Sequence, residues 1–188
     1  MGRAQGGTQG AASGSRGRRT ADETRIIDRL KRLGPQKQAL AVTLRPFSDD
    51  QGRFDLAGWE RAFSSDDPET IAKVVAVTGA YQLLVNHLVE MLQAAGRIAG
   101  LSVCQTDTKP SARALLNAVK ADGGLTANQV NNLLRLYRTR NDLQHSSMDV
   151  QADQVHADIE LVDKTVGGFV KSYLTWLQRY DVQILPKR

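Results

Sequence analysis

A chain of 188 residues with 41% hydrophobic content can fill one ordinary domain core, and its net charge of +5 favours anionic partners over cationic ones. Cys104 is the single cysteine, which excludes an internal disulfide and a cysteine-rich zinc site, and the three histidines form no His-Glu-x-x-His motif, so neither a metal nor a cofactor is expected. No continuous apolar run approaches the roughly 18 residues of a membrane span and no secretory leader is apparent, so a cytoplasmic protein without membrane contact is expected.

The charge is unevenly spread. Residues 1–45 carry ten basic and three acidic side chains, residues 46–70 two and seven, and residues 71–188 thirteen and ten. The first twenty, rich in Gly, Ser, Ala and Arg, offer nothing for an apolar core and are predicted to be a disordered tail, either a phosphate-touching arm or a solvated end. Residues 21–67 read as an N-terminal helical extension and acidic linker. Within it, Ile26, Ile27, Leu30 and Leu33 give one apolar face to a short helix from Asp22 that Gly34-Pro35 stops, with Arg25, Arg29, Lys31 and Arg32 on its other face. Phe54, Leu56, Trp59 and Phe63 are the expected anchors of the linker, which holds one short helix.

Residues 68–182 read as the main bundle, with 183–188 as a tail. Asp67-Pro68-Glu69 places an N-cap, a proline at the first helical position and an early acid in the order a helix start favours. The helix that follows carries Ile71, Val74, Val75, Leu84, Leu88, Met91, Leu92, Ala95 and Ile98 at three- and four-residue steps until Gly100. His87 and Glu90 lie on or beside this stripe and read first as a hydrogen-bonded pair, with Glu90 also a secondary acidic candidate for substrate binding. A shorter helix from Ser111 ends at Gly123-Gly124. Thr126-Ala127-Asn128-Gln129 has the form of a capping box, and the helix it opens buries Val130, Leu133, Leu134 and Tyr137. In the last helix Val155, Ile159, Val162, Val166, Phe169, Tyr173, Leu177 and Tyr180 make a heptad seam, and Gly167-Gly168 within it imply a close neighbouring helix or a bend. No strand pattern occurs, so the class is all-α, an up-and-down helical bundle.

Arg140-Asn141-Asp142-Leu143-Gln144-His145 gathers an arginine, an amide and a histidine where a helix is about to end. Histidine exchanges protons near neutral pH and a guanidinium presents a fixed fork of donors to phosphate oxygens, so the group is suited to metal-free phosphate chemistry. Seventeen arginines and three histidines also make an accidental pairing common, at about 0.8 expected hits. On an ideal helix Arg140 and His145 lie about 140° apart, whereas Asn141 and Arg138 align with His145. The helix is therefore expected to distort between 140 and 145, or Arg140 to act with a second chain, with Arg138 as the fallback arginine.

With a polar residue after its arginine, a histidine after four to six intervening residues and a long helix to follow, the stretch over roughly 68–180 resembles the HEPN-domain family, with Tyr137 and Asp149-Val150 adding to the likeness. The resemblance implies a HEPN-like bundle and a metal-independent endoribonuclease, often a homodimer, found in toxin–antitoxin pairs and antiviral defence, with an antitoxin or defence-system protein as partner and RNA as substrate. It implies catalytic roles for Arg140, Asn141 and His145 and backbone binding by Arg138. Ser147 stands where toxins paired with a nucleotidyltransferase usually have tyrosine, which speaks against neutralisation by modification there. Two other readings stand beside it: a catalytically silent HEPN-like dimerisation or docking module, and a nucleic-acid binder whose basic N-terminal arm carries the function.

Overall fold

The computed structural model of the chain describes residues 9–106, 109–145 and 150–182, with side chains from residue 19 onward. Among these residues there are six α-helices and no strand: α1 Gln9–Leu44, α2 Leu56–Phe63, α3 Pro68–Ile98, α4 Ala112–Ala121, α5 Ala127–His145 and α6 Ala152–Gln178. The all-α helical bundle expected from the sequence is observed. Ser147, Asp149 and the 183–188 tail lie outside the described residues.

The first helix departs most from expectation. It begins at Gln9, inside the segment predicted to be disordered, and runs through Gly34-Pro35 to Leu44. Proline inside a helix removes one backbone bond and costs about 3 kcal/mol. Against that cost, Ile26, Leu33 and Leu40 recur every seven residues and are all buried, so the same face continues on both sides of Pro35. Two leucines buried beyond the proline's first turn and before it contribute about 1.5–3 kcal/mol each, enough to keep the helix on its partner. That partner is α3, and the pairing is antiparallel: Asp22 meets Arg97, and Arg29 meets Glu90. The segment expected to be an extension is thus part of the core.

The acidic linker is equally built in. Trp59 is fully buried, packs edge-on against Phe47 with ring centroids 5.0 Å apart and against Phe54 and Phe63 at 5.5 Å, and its indole N–H donates to the Ala152 carbonyl at 2.9 Å. Three of the four expected anchors hold α2 to the start of α6. Leu56, the fourth, is exposed.

Helix ends follow local chemistry closely. Asp67 accepts from the Thr70 backbone N–H at 2.8 Å and from its hydroxyl at 2.7 Å, Ser111 caps α4 through the Ala114 N–H, and Thr126 and Gln129 exchange both bonds of the capping box. Gly100 and Gly123 adopt φ of +71° and +75°. In each case the next residue's N–H reaches back to the carbonyl five residues earlier, closing the Schellman turn.

Two buried tyrosines set the register of the bundle. The Tyr81 hydroxyl donates to the Leu136 carbonyl and that of Tyr173 to the Met91 carbonyl, both at 2.8 Å, and burial raises both phenols well above their ordinary value. Gln129 on α5 reaches Gly168 and Ser172 on α6, while Arg135 and Thr139 reach Asp158, so α5 and α6 are antiparallel. Seven of the eight seam residues of α6 are buried and Tyr180 is half-buried. The glycines in that seam do not act as expected: both are exposed, α6 runs unbroken, an added Cβ at Gly167 would meet nothing, and one at Gly168 would meet only the Gln129 amide at 3.7 Å.

The apolar stripe of α3 also divides. From Val77 to Gly96 it lines the core, but Ile71, Val75 and Leu83 stand 43%, 61% and 52% exposed. By length and mean hydropathy, 1.2 over its most apolar window, α3 is long and apolar enough to cross a membrane, although no single uninterrupted apolar run marks it in the sequence; 44% of that window is buried inside the bundle.

Candidate functional site

The motif sits on the last two turns of α5, whose inner face is fixed by Leu133, Leu136, Thr139 and Leu143. Asp158, fully buried on α6, receives the Arg135 Nε–H and the Thr139 hydroxyl, so this part of α5 is tied to α6 from behind. Neither Thr139 nor Asp158 was singled out in the sequence. An acid three residues after Val155, beside an otherwise apolar seam, was the available signal.

Arg140 is half-buried and has no carboxylate partner among the described residues. Its Nη1 donates to Asn141 Oδ1 at 2.7 Å, its Nε is buried without a hydrogen-bond partner, and the guanidinium lies 5.7 Å from the centre of the Tyr137 ring. The bond also orients the amide: a guanidinium only donates, so the oxygen of Asn141 faces Arg140 and its NH2 is left for another acceptor. Arg138 and His145 are exposed, and neither makes a hydrogen bond or ion pair among the described residues.

The helix does not distort between 140 and 145, as it was expected to if one chain were to align these side chains. It remains α-helical to His145. His145 therefore shares a face with Asn141 and Arg138, while Arg140 projects about 140° away and about 7.5 Å along the axis. Arg140 is connected to that face only through Asn141.

Glu90 does not join this group. Tyr81 on α3 bonds Leu136 on α5, while Met91 on α3 meets Tyr173 of α6, whose neighbours Gly168 and Ser172 meet Gln129 of α5, so α3 and α5 run in opposite directions and nine residues further along each leads apart. Glu90 and His145 are thus separated by about 25 Å along the bundle. Nor do His87 and Glu90 form the expected pair with each other. Both meet Arg29 of α1: Arg29 Nη1 is 3.0 Å from His87 Nδ1, and Nη2 is 2.6 Å from Glu90 Oε2.

A cleft of about 670 Å³ at the start of α6 is lined by Glu60, Phe63, Ser64, Val150, Gln151, Ala152 and Asp153 and does not include His145. His156, one turn into α6, stacks on Phe54 at 4.4 Å and keeps a buried Nε2 that has no hydrogen-bond partner among the described residues. The basic start of α1 lies at the opposite end, where Arg19 donates to the Tyr180 carbonyl at 2.7 Å beyond the end of α6. The length of α6 puts about 40 Å between Arg19 and the α5–α6 connection. Among the described residues no three His, Cys, Asp or Glu side chains are placed to hold a metal ion.

Comparison of the chain with protein-family models, with curated protein sequences and with solved structures finds no match.

Proposed function

We propose that the chain is a HEPN-type, metal-independent endoribonuclease that acts as a homodimer in a toxin–antitoxin or antiviral defence setting. One observation carries the reading: among the described residues Arg140 is held half-buried without a carboxylate to neutralise it, with an Nε–H that has no partner there and an anchoring bond to Asn141, on the same two helical turns as an exposed His145 that has no partner among them either. An arginine that is already organised but electrically uncompensated is suited to an incoming phosphate. His145 takes the proton of a ribose 2′-hydroxyl, the 2′-oxygen attacks the adjacent phosphorus, and the 5′-oxygen leaves with a proton supplied by a second acid. The 5′ fragment then ends in a 2′,3′-cyclic phosphate. Because the straight helix points Arg140 and His145 apart, a second copy brings the complementary residue, and Arg138 binds the RNA backbone on the His145 face.

The test is incubation of the purified protein with mixed RNA in excess chelator. Cleavage that persists there and disappears in both Arg140→Ala and His145→Ala is the expected result. No cleavage, or cleavage indifferent to both changes, overturns the reading.

A second reading, a catalytically silent module that docks on a partner protein, is favoured by the exposed Ile71, Val75 and Leu83 on α3 and by the cleft at the start of α6 with Glu60 and Asp153 in its wall. It predicts no cleavage and loss of partner binding when these three residues are made polar.

A further inference from the structure

His87 is 1% exposed, yet one of its ring nitrogens is surrounded by donors. Arg29 Nη1 and Gln36 Nε2, both from α1, lie 3.0 Å and 3.1 Å from Nδ1. Arginine has no acceptor, and its Nη1 is nearer to Nδ1 than to Nε2, which is 3.5 Å away, so the contact favours a bare Nδ1 with the ring proton on Nε2. The rest of this seam is polar and under-satisfied. Gln36 Oε1, Glu90 Oε2 and Gln93 Nε2 are buried and have no hydrogen-bond partner among the described residues, although Glu90 stands at ion-pair distance from Arg29. Gln93 is three residues beyond Glu90 and four before Arg97, on the stripe that faces α1. Elsewhere α1 is held by apolar residues, by the Arg97–Asp22 pair, by the solvent-exposed Lys37–Asp163 pair to α6 and by the Arg19 bond to the Tyr180 carbonyl. The polar stretch in the middle is therefore the part of the interface most easily opened.

We propose that His87 is an acid-operated latch on the N-terminal helix: neutral, it clips α1 to α3 through Arg29 and Gln36; protonated on Nδ1, it loses its acceptor and repels the Arg29 guanidinium, and α1 lifts around residues 29–40 while α3, α5 and α6 stay packed. The charged groups that act on the ring are Arg29 and Arg32 from α1 and Glu90 from its own helix. Burial and then the Arg29 charge hold the imidazole below its ordinary value; Glu90 opposes this and Arg32 adds to it. A histidine whose value is lower in the folded state contributes stability that is complete above its unfolded value, about 6.5, and is lost as pH falls from there through the folded value. Acid therefore opens the latch and neutral pH closes it. The opened segment presents Leu33 and Leu40, buried in the closed state, beside the exposed Lys31 and Arg32. The latch does not depend on the ribonuclease reading, since neither Arg140 nor His145 takes part in it.

Hydrogen exchange of the full chain, expressed as protection relative to the intrinsic rate at each pH, measures the opening directly. Between about pH 7.5 and about pH 5, protection of residues 29–40 falls by up to about tenfold per pH unit, the limit for uptake of one proton, while α6 keeps its protection. In His87→Asn, whose side-chain oxygen can accept from Arg29 without titrating, α1 protection stays level across the same range. Constant protection in the native chain, an equal fall in His87→Asn, or a fall that α6 shares would each overturn the latch. Imidazole nitrogen shifts of the native protein give a check that needs no variant: a neutral-pH proton on Nδ1 would also overturn it.

Discussion

The Thr139 hydroxyl donates to Asp158 Oδ2 at 2.5 Å, and this contact, together with the Arg135 bond to Oδ1, fixes the motif-bearing end of α5 against the start of α6. Asp158 is fully buried, whereas the Arg135 side chain is 47% exposed, and among the described residues the carboxylate has its hydrogen bonds from two α5 residues, Arg135 and Thr139. Arg135→Met should leave that charge buried beside a single hydroxyl. Breaking a buried pair costs about 3–5 kcal/mol, and the exposure of Arg135 places the expected loss at the lower end of that range. Urea unfolding measures it; a loss below about 1 kcal/mol would show that water reaches Asp158.

Gly167 offers a change in the other direction. It lies on the exposed face of an unbroken helix, and a methyl group there would meet nothing within 4 Å. Gly167→Ala should therefore stabilise the fold by about 0.5–1 kcal/mol through the reduced freedom of the unfolded chain and the better helix propensity of alanine. The denaturation midpoint checks this. A destabilised variant would mean that another surface covers this face in solution.

At the core of the last seam, Phe169 is fully buried and stacks on Tyr173 with ring centroids 5.2 Å apart. Phe169→Ala should cost about 3–5 kcal/mol, since both the transfer of the ring and the cavity it leaves count against the fold. Loss of less than about 1 kcal/mol would contradict the packing of α6 described above.

The straight end of α5 makes a composite site testable without a structure of the dimer. Arg140→Ala and His145→Ala, each inactive alone, should recover activity when mixed and allowed to exchange subunits. Random exchange makes half of the dimers mixed, each with one of two sites intact, so about a quarter of native cleavage is expected. Recovery near zero would place Arg140 and His145 of the same chain in one site and require α5 to bend on binding RNA.

Local chemistry was legible in the sequence wherever its partners lie within one helical turn. The Asp67 cap, the Thr126–Gln129 capping box and the turns at Gly100 and Gly123 involve groups a few residues apart, and short-range geometry alone determines them. The α6 seam was legible for a related reason: a helix buries whichever face is continuously apolar.

The length of α1 was not legible, because Pro35 is a sound local stop signal and only the surface of α3, forty and more residues away, supplies enough apolar contact to carry the helix past it. The same limit applied at the motif. Sequence brought Arg138, Arg140, Asn141 and His145 onto two turns and fixed their angular spacing, and the bond from Arg140 to its neighbour Asn141 is equally local, but the anchoring of this end of α5 by Asp158 came from packing against α6. Glu90 and His87 show the strongest override. Their spacing on α3 suggested a pair, yet Arg29 from α1 stands against both, since a guanidinium with several donors offers each more than they offer one another.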